Sequence, residues 1–153
     1  MSPTLEKVLT PPAARHQKTP AEGAATKLSI AVVFTSVEST LEALKEAGKL
    51  ACSLNARITL MVPQVVPFPL PLASPPVLLD FNERRFRVIA DQSPVETMVQ
   101  IYLCRDRDET LQNVLPPRSV VVVAGPKRWW PTSEKRLARR LRQGGHEVFL
   151  VER

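Results

Sequence analysis

The sequence predicts an α/β fold, a three-layer α/β/α sandwich around a five-stranded parallel sheet, and three observations carry the prediction. Short, nearly unbroken apolar runs recur along the chain, as strands buried on both faces require. Amphipathic stretches with helical spacing and cap residues stand between them. The two kinds alternate as βαβαβαβαβ, which implies right-handed crossovers and a parallel sheet with helices on both faces.

The chain of 153 residues, 44% apolar, suits one domain with a buried core. Residues 1–26, rich in Pro, Ala and Thr and without apolar periodicity, are expected to form a flexible tail, leaving the domain to 27–153. LSIAVVF, from Leu28 to Phe34, is the first strand. Ser39-Thr-Leu-Glu42 reads as a capping box opening a helix with the stripe Leu41, Leu44, Ala47, Gly48, Ala51 and Cys52, and Asn55 is its stop. Arg57 to Val62 forms a second strand, followed by a loop from Pro63 to Pro76 in which six of fourteen positions are proline, excluding a helix. Leu78, Phe81, Arg85 and Ile89 place a helix over Leu78 to Asp91, although FRVIA also fits a strand.

Further on, Val95, Thr97, Val99, Ile101 and Leu103 alternate with more polar residues, a pattern suited to the sheet's edge. Asp106 or Asp108 caps a short helix that turns Leu111, Val114 and Leu115 inward and ends at Pro116-Pro117. SVVVVAG is the most apolar run and belongs centrally in the sheet, with Gly125 at its turn. Ser133 is placed to cap a last helix ending at Gln143, stopped by Gly144-Gly145, and HEVFLVER supplies the fifth strand. In such a sheet ligands bind beyond the carboxyl ends of the strands, so the turns after Phe34, Val62 and Gly125 mark the candidate site.

The net charge of +6 has an address. Lys127 to Arg142 holds seven bases and one acid, Glu134, while the other residues hold 14 of each sign. On a helical wheel Lys135, Arg139 and Arg142 form one stripe, Arg136 and Arg140 flank it, and Leu137, Ala138 and Leu141 face the other way. This basic face is a candidate for a nucleic acid or another polyanion, with Trp129 and Trp130 as stacking groups, but the balanced charge elsewhere, the lack of a recognised nucleic-acid-binding fold and an aromatic content of 5% favour a solvated surface helix. Either tryptophan also suits a protein partner.

Other chemistry is weakly signalled. Cys52 and Cys104 lack metal-ligand or redox spacing and read as small buried hydrophobes. His16 and His146 have no triad partner nearby, and Asp106, Asp108 and Glu109 lack convergent metal ligands. Neither an enzyme nor a metal protein is expected. The N-terminus carries no secretory or transit pattern, and the most apolar stretch, Ile58 to Leu72, contains four prolines, so a cytoplasmic protein without a membrane span is expected.

A first strand running through Thr35-Ser36 into LEALKEAGKLA, then ARITLMVPQVVP, VVVVAG and LARRLRQGGHEVFLV, resembles the universal stress protein (UspA-like) family over residues 28–153. The resemblance implies a Rossmann-like fold of the adenine nucleotide alpha hydrolase-like kind, a stress-response or regulatory role, and a homodimer paired through the last strand. ATP-binding members of that family carry an aspartate at the end of the first strand and Gly-x-x-Gly after the fourth, then glycine with Ser or Thr. Here Phe34 stands at the aspartate position, Arg128 at the second glycine, and no glycine follows from Pro126 to Gln143. The resemblance thus implies a divergent, non-catalytic member with a degenerate nucleotide site and no cofactor. The alternative is ATP or AMP bound by Thr35, Ser36, Val62, Gly125, Lys127, Arg128, Thr132 and Ser133, with the last helix's amino terminus as anion site.

Overall fold

The computed structural model describes residues 8–9, 28–68 and 79–153. Most of the expected tail, His16 included, residues 69–76 of the expected proline loop, and residues 77–78, among them the expected helix start Leu78, lie outside the described residues. In chain order the elements are β1 (Val8–Leu9), β2 (Ser29–Val33), α1 (Val37–Leu54), β3 (Arg57–Val65), α2 (Leu79–Ala90), β4 (Thr97–Cys104), α3 (Arg107–Val114), β5 (Val120–Gly125), α4 (Ser133–Gln143) and β6 (Glu147–Glu152).

The sheet order is β1-β4-β3-β2-β5-β6. Five strands are parallel, as the alternation predicts; the two-residue β1 joins β4 antiparallel, with Val8 opposite Tyr102 and Leu9 opposite Ile101. Two residues of the segment assigned to the tail are thus part of the sheet. β2, rather than the more apolar β5, lies at the middle of the five parallel strands, and β5 stands between β2 and β6. Apolar content reports burial on both faces, which both strands have, and does not rank them.

α1 and α2 cover one face of the sheet. There Ala43, Leu44, Ala47 and Ala51 meet Ile30, Val32, Ile58, Leu60 and Val122, with Phe86 and Ile89 of α2 over Val99 and Ile101. α3 and α4 cover the other, where Leu111, Leu137, Ala138 and Leu141 meet Ala31, Val33, Met61, Val121 and Val123. Each fully buried side chain of this size contributes roughly 1.5–3 kcal/mol to holding the layers together. β3 runs on through Pro63, whose missing N–H falls beyond the end of β2, where no neighbouring strand needs it.

Three local expectations are corrected. α1 is capped by Ser36, which accepts from the Ser39 amide at 3.2 Å, so the expected cap Ser39 is a buried first-turn residue instead. Cys52 is exposed, because the buried stripe of α1 runs through Thr40, Ala43, Leu44, Ala47, Gly48 and Ala51 and leaves position 52 outside it. α4 is capped by Thr132, accepting from the Lys135 amide at 3.2 Å, and not by Ser133. Asn55 ends α1 as expected, in the left-handed region at φ 52°.

Gly48 lies where α1 meets the turn before β4, and a Cβ there would sit 2.3 Å from Cγ and 2.8 Å from Cδ of Pro94. Alanine at an open helical position gains about 1 kcal/mol over glycine. Gly48→Ala should instead destabilise the domain by about 1–3 kcal/mol, the cost of overpacking, read as a fall in urea midpoint.

Candidate functional site

The sheet order puts a topological switch point between β2 and β5, since the connection from β2 leads to one side and the chain later returns to the other. Beyond Val32 and Val122 the two strands are no longer paired. The Thr35 hydroxyl spans the gap and donates to the Ala124 carbonyl at 2.9 Å. The Thr35 amide in turn donates to Thr40 Oγ1 at 3.2 Å. With Ser36 capping α1, both polar residues of this turn are engaged by the fold itself.

At the end of β2, the Phe34 ring stacks edge-on against Phe86 of α2, centroids 4.8 Å apart. The Phe34 amide donates to the Met61 carbonyl at 2.9 Å. Val62, one residue on, is buried in the core beneath α1 and α2, so its side chain presents nothing to the turn. On the β5 side, a Cβ on Gly125 would meet Glu134 Cγ at 2.8 Å and Cβ at 2.9 Å. The Glu134 side chain therefore lies directly over the strand end, and its Oε2 accepts from the Ser133 hydroxyl at 2.9 Å. The anion nearest the positive end of α4 is the chain's own carboxylate, where the helix dipole favours negative charge.

The loop from Pro126 to Pro131 is tied to the last strand. The Lys127 amide donates to the Arg153 carbonyl at 2.8 Å, and the Arg153 amide to the Gly125 carbonyl at 3.1 Å, which extends the β5–β6 ladder past its end. Arg153 also pairs with Glu38 of α1 at 3.3 Å. Lys135 joins loop to strand, pairing with Glu152 at 3.3 Å and donating to the Arg128 carbonyl. The Arg128 guanidinium lies 5.3 Å from the Trp130 ring centre, and Trp130 meets Trp129 edge-on. Trp129 is 89% exposed.

The predicted site residues thus fall into two groups. Thr35, Ser36 and Thr132 are engaged in bridging or capping, Ser133 holds Glu134, Val62 is in the core, and Gly125 is covered. Lys127 and Arg128 stand outside with α4. Of the basic helix residues, Arg140 reaches Asp108 at 3.4 Å, Arg142 donates to the Val148 carbonyl at 2.9 Å, and Arg136 and Arg139 are exposed without a protein partner among the described residues. Sequence reasoning did not single out Phe86 or assign a site role to Glu134. Glu134 carries one signal, an acid in the first turn of a helix, but that signal says nothing of where the carboxylate points.

The remaining candidates make contacts within the fold. Asp106 caps α3, accepting from the Glu109 amide at 2.8 Å, and Asp108 is held between Arg107 and Arg140. No group of three metal-ligating side chains occurs among the described residues. His146 accepts from the Ser119 amide through Nδ1 at 3.1 Å. Cys104 is buried, and burial raises its thiol pKa, which disfavours the nucleophilic thiolate. No helix among the described residues is long and apolar enough to cross a membrane.

Gly125→Ala should destabilise the domain by about 1–3 kcal/mol, because the added methyl must displace Glu134 from the strand end. Combining it with Glu134→Ala, which removes Cγ and the carboxylate, should recover part of the loss in a double-mutant cycle followed by denaturant unfolding.

No family model and no curated protein matches the chain. Among solved structures it is similar to a universal stress protein from Archaeoglobus fulgidus, with a TM-score of 0.56 and 12% identity over 82% of this chain and 93% of that one. At that identity the likeness is one of fold, and it is the fold the sequence predicts, a five-stranded parallel sheet between two layers of helices.

Proposed function

We propose that the chain is a divergent, non-catalytic regulatory domain of the universal-stress-protein kind, cytoplasmic and acting in stress response, whose nucleotide site is degenerate. The observation that carries the reading is the Glu134 side chain over Gly125: its Cβ and Cγ cover the strand end and its carboxylate, held by the Ser133 hydroxyl, stands beside it, where a phosphate would need the strand end and the helix amino terminus to be open. A polyphosphate there would meet a like charge, at a cost that burial increases. Pro126 and Pro131 remove two amide donors from the turn that would have to cradle it. Phe34, packed on Phe86, offers no polar atom from its side chain to a ribose. The residues present therefore do not fit an adenine nucleotide held in the usual manner of this fold.

Thermal-shift titration with ATP and AMP tests the reading, and neither nucleotide is expected to raise Tm saturably. Saturable stabilisation by ATP that disappears in Lys127→Ala/Arg128→Ala would establish the opposite, a nucleotide site built from side chains.

The assembly that suits this reading is a homodimer through β6. Glu147 and Arg153 direct their amides at β5, so the intervening residues 148, 150 and 152 turn their backbone groups outward. Arg142 covers the Val148 carbonyl; the outward groups of Leu150 and Glu152 have no partner among the described residues. Phe149 is 43% exposed on the same strand. Leu150→Pro, which deletes an outward N–H while leaving every β5–β6 hydrogen bond in place, is expected to shift the protein from dimer to monomer in sedimentation velocity.

A further inference from the structure

The excess positive charge has no role in the reading above, and the structure separates its bound from its available part. Along α4, Leu137, Ala138 and Leu141 are buried against the sheet. Cations on the two flanks are held: Lys135 and Arg142 on β6, Arg140 on Asp108. Between the flanks lie Arg136 and Arg139, exposed and without a carboxylate among the described residues. At the helix's amino end the loop adds Lys127 and Arg128, and Lys135 clamps that loop to the helix through the Arg128 carbonyl. The result is a band of four cations, Arg136 and Arg139 about 4.5 Å apart along the helix axis and Lys127 and Arg128 on the loop at its amino end. Trp129 stands at its end, 89% exposed, with Trp130 braced behind it.

We propose that this band binds single-stranded nucleic acid, with Lys127, Arg128, Arg136 and Arg139 along the phosphates and Trp129 stacked on a base. Three features select that partner. The available cations are mostly arginines, whose planar forks match phosphate oxygens. An indole this exposed loses little by stacking on an unpaired base, whereas a duplex hides its base faces. A membrane would require the apolar side of α4, and that side is committed to the core. The loop is also held in place, since its amide ladder to Arg153 and its bracketing prolines restrict it before any ligand arrives. Lys127 and Arg128 are shared with the alternative nucleotide site, whereas Trp129, Arg136 and Arg139 belong to this surface alone, and the variants below are confined to those three.

The chain's only two tryptophans are Trp129 and Trp130, so its indole fluorescence reports on this loop alone. The test titrates the full chain with a fluorescein-labelled oligouridylate, read by anisotropy, and with the unlabelled oligomer, read by tryptophan emission. Binding is expected to quench the emission and to weaken roughly 10- to 50-fold between about 50 and about 200 mM salt, as release of counterions from a few phosphates requires. Trp129→Ala should lower affinity about 5-fold or more. Arg136→Ala/Arg139→Ala should lower it and flatten the salt slope by roughly 1.4. Both variants alter exposed side chains, and far-UV circular dichroism confirms their folding. Absence of binding, binding without quenching, or affinity unchanged in either variant overturns the proposal. So does tighter binding to polyglutamate or to vesicles of phosphatidylserine than to the oligonucleotide.

Discussion

Burial of a parallel sheet on both faces is the constraint from which the rest of this molecule follows. With helices above and below, the strands expose polar backbone only at their ends and along the outermost edge. Whatever recognition the domain performs is therefore confined to the carboxyl rim, the outer strand and the outward faces of the helices. At the rim, two arrangements occupy the strand ends beside the switch point. Thr35 joins β2 to β5 through a single hydroxyl, and Glu134 lies over the end of β5. The first is a neutral hydrogen bond worth about 1 kcal/mol net. The second places a carboxylate at a helix amino terminus, which contributes a similar amount.

The same rim explains the distribution of charge. On the proposed reading Glu134 takes the place of a bound anion and leaves Lys127 and Arg128 without a local use, and both face solvent beside Trp129 and Trp130. Within the basic stretch, the cations paired with carboxylates are Lys135 and Arg140 on the flanks of α4, where β6 and α3 approach closely enough to offer Glu152 and Asp108. Paired charges at this exposure add little to stability, with a median of about 0–1 kcal/mol. Their effect is positional, since they fix the helix and the loop relative to one another.

The strands and helices were legible in the sequence because each obeys one period. LSIAVVF and SVVVVAG are long enough to show burial on both sides, and Leu137, Ala138 and Leu141 show a helix with one apolar side. Legibility failed where a choice rested on atoms rather than on period. Ser36 and Ser39 are both good caps, and only the point at which β2 releases the chain decides between them. Cys52 adjoins a buried stripe and falls just outside it. Val8–Leu9 is too short to display any alternation. Within the site, the sequence located the turn at Gly125 and the lack of glycine from Pro126 to Gln143, but the placement of Glu134 over that turn depends on a side-chain direction that no spacing encodes.

The contact between Arg142 and the Val148 carbonyl has a wider meaning. Proteins commonly guard an outer strand with a proline or a bulge, which spoil the edge permanently. A guanidinium resting on a strand carbonyl spoils nothing. It covers the Val148 carbonyl and leaves the outward groups of Leu150 and Glu152 open, so a strand pairing there would displace one part-buried hydrogen bond. The proposed pairing would therefore have to displace one flexible side chain, which stands on the same helix that carries the chain's surplus charge.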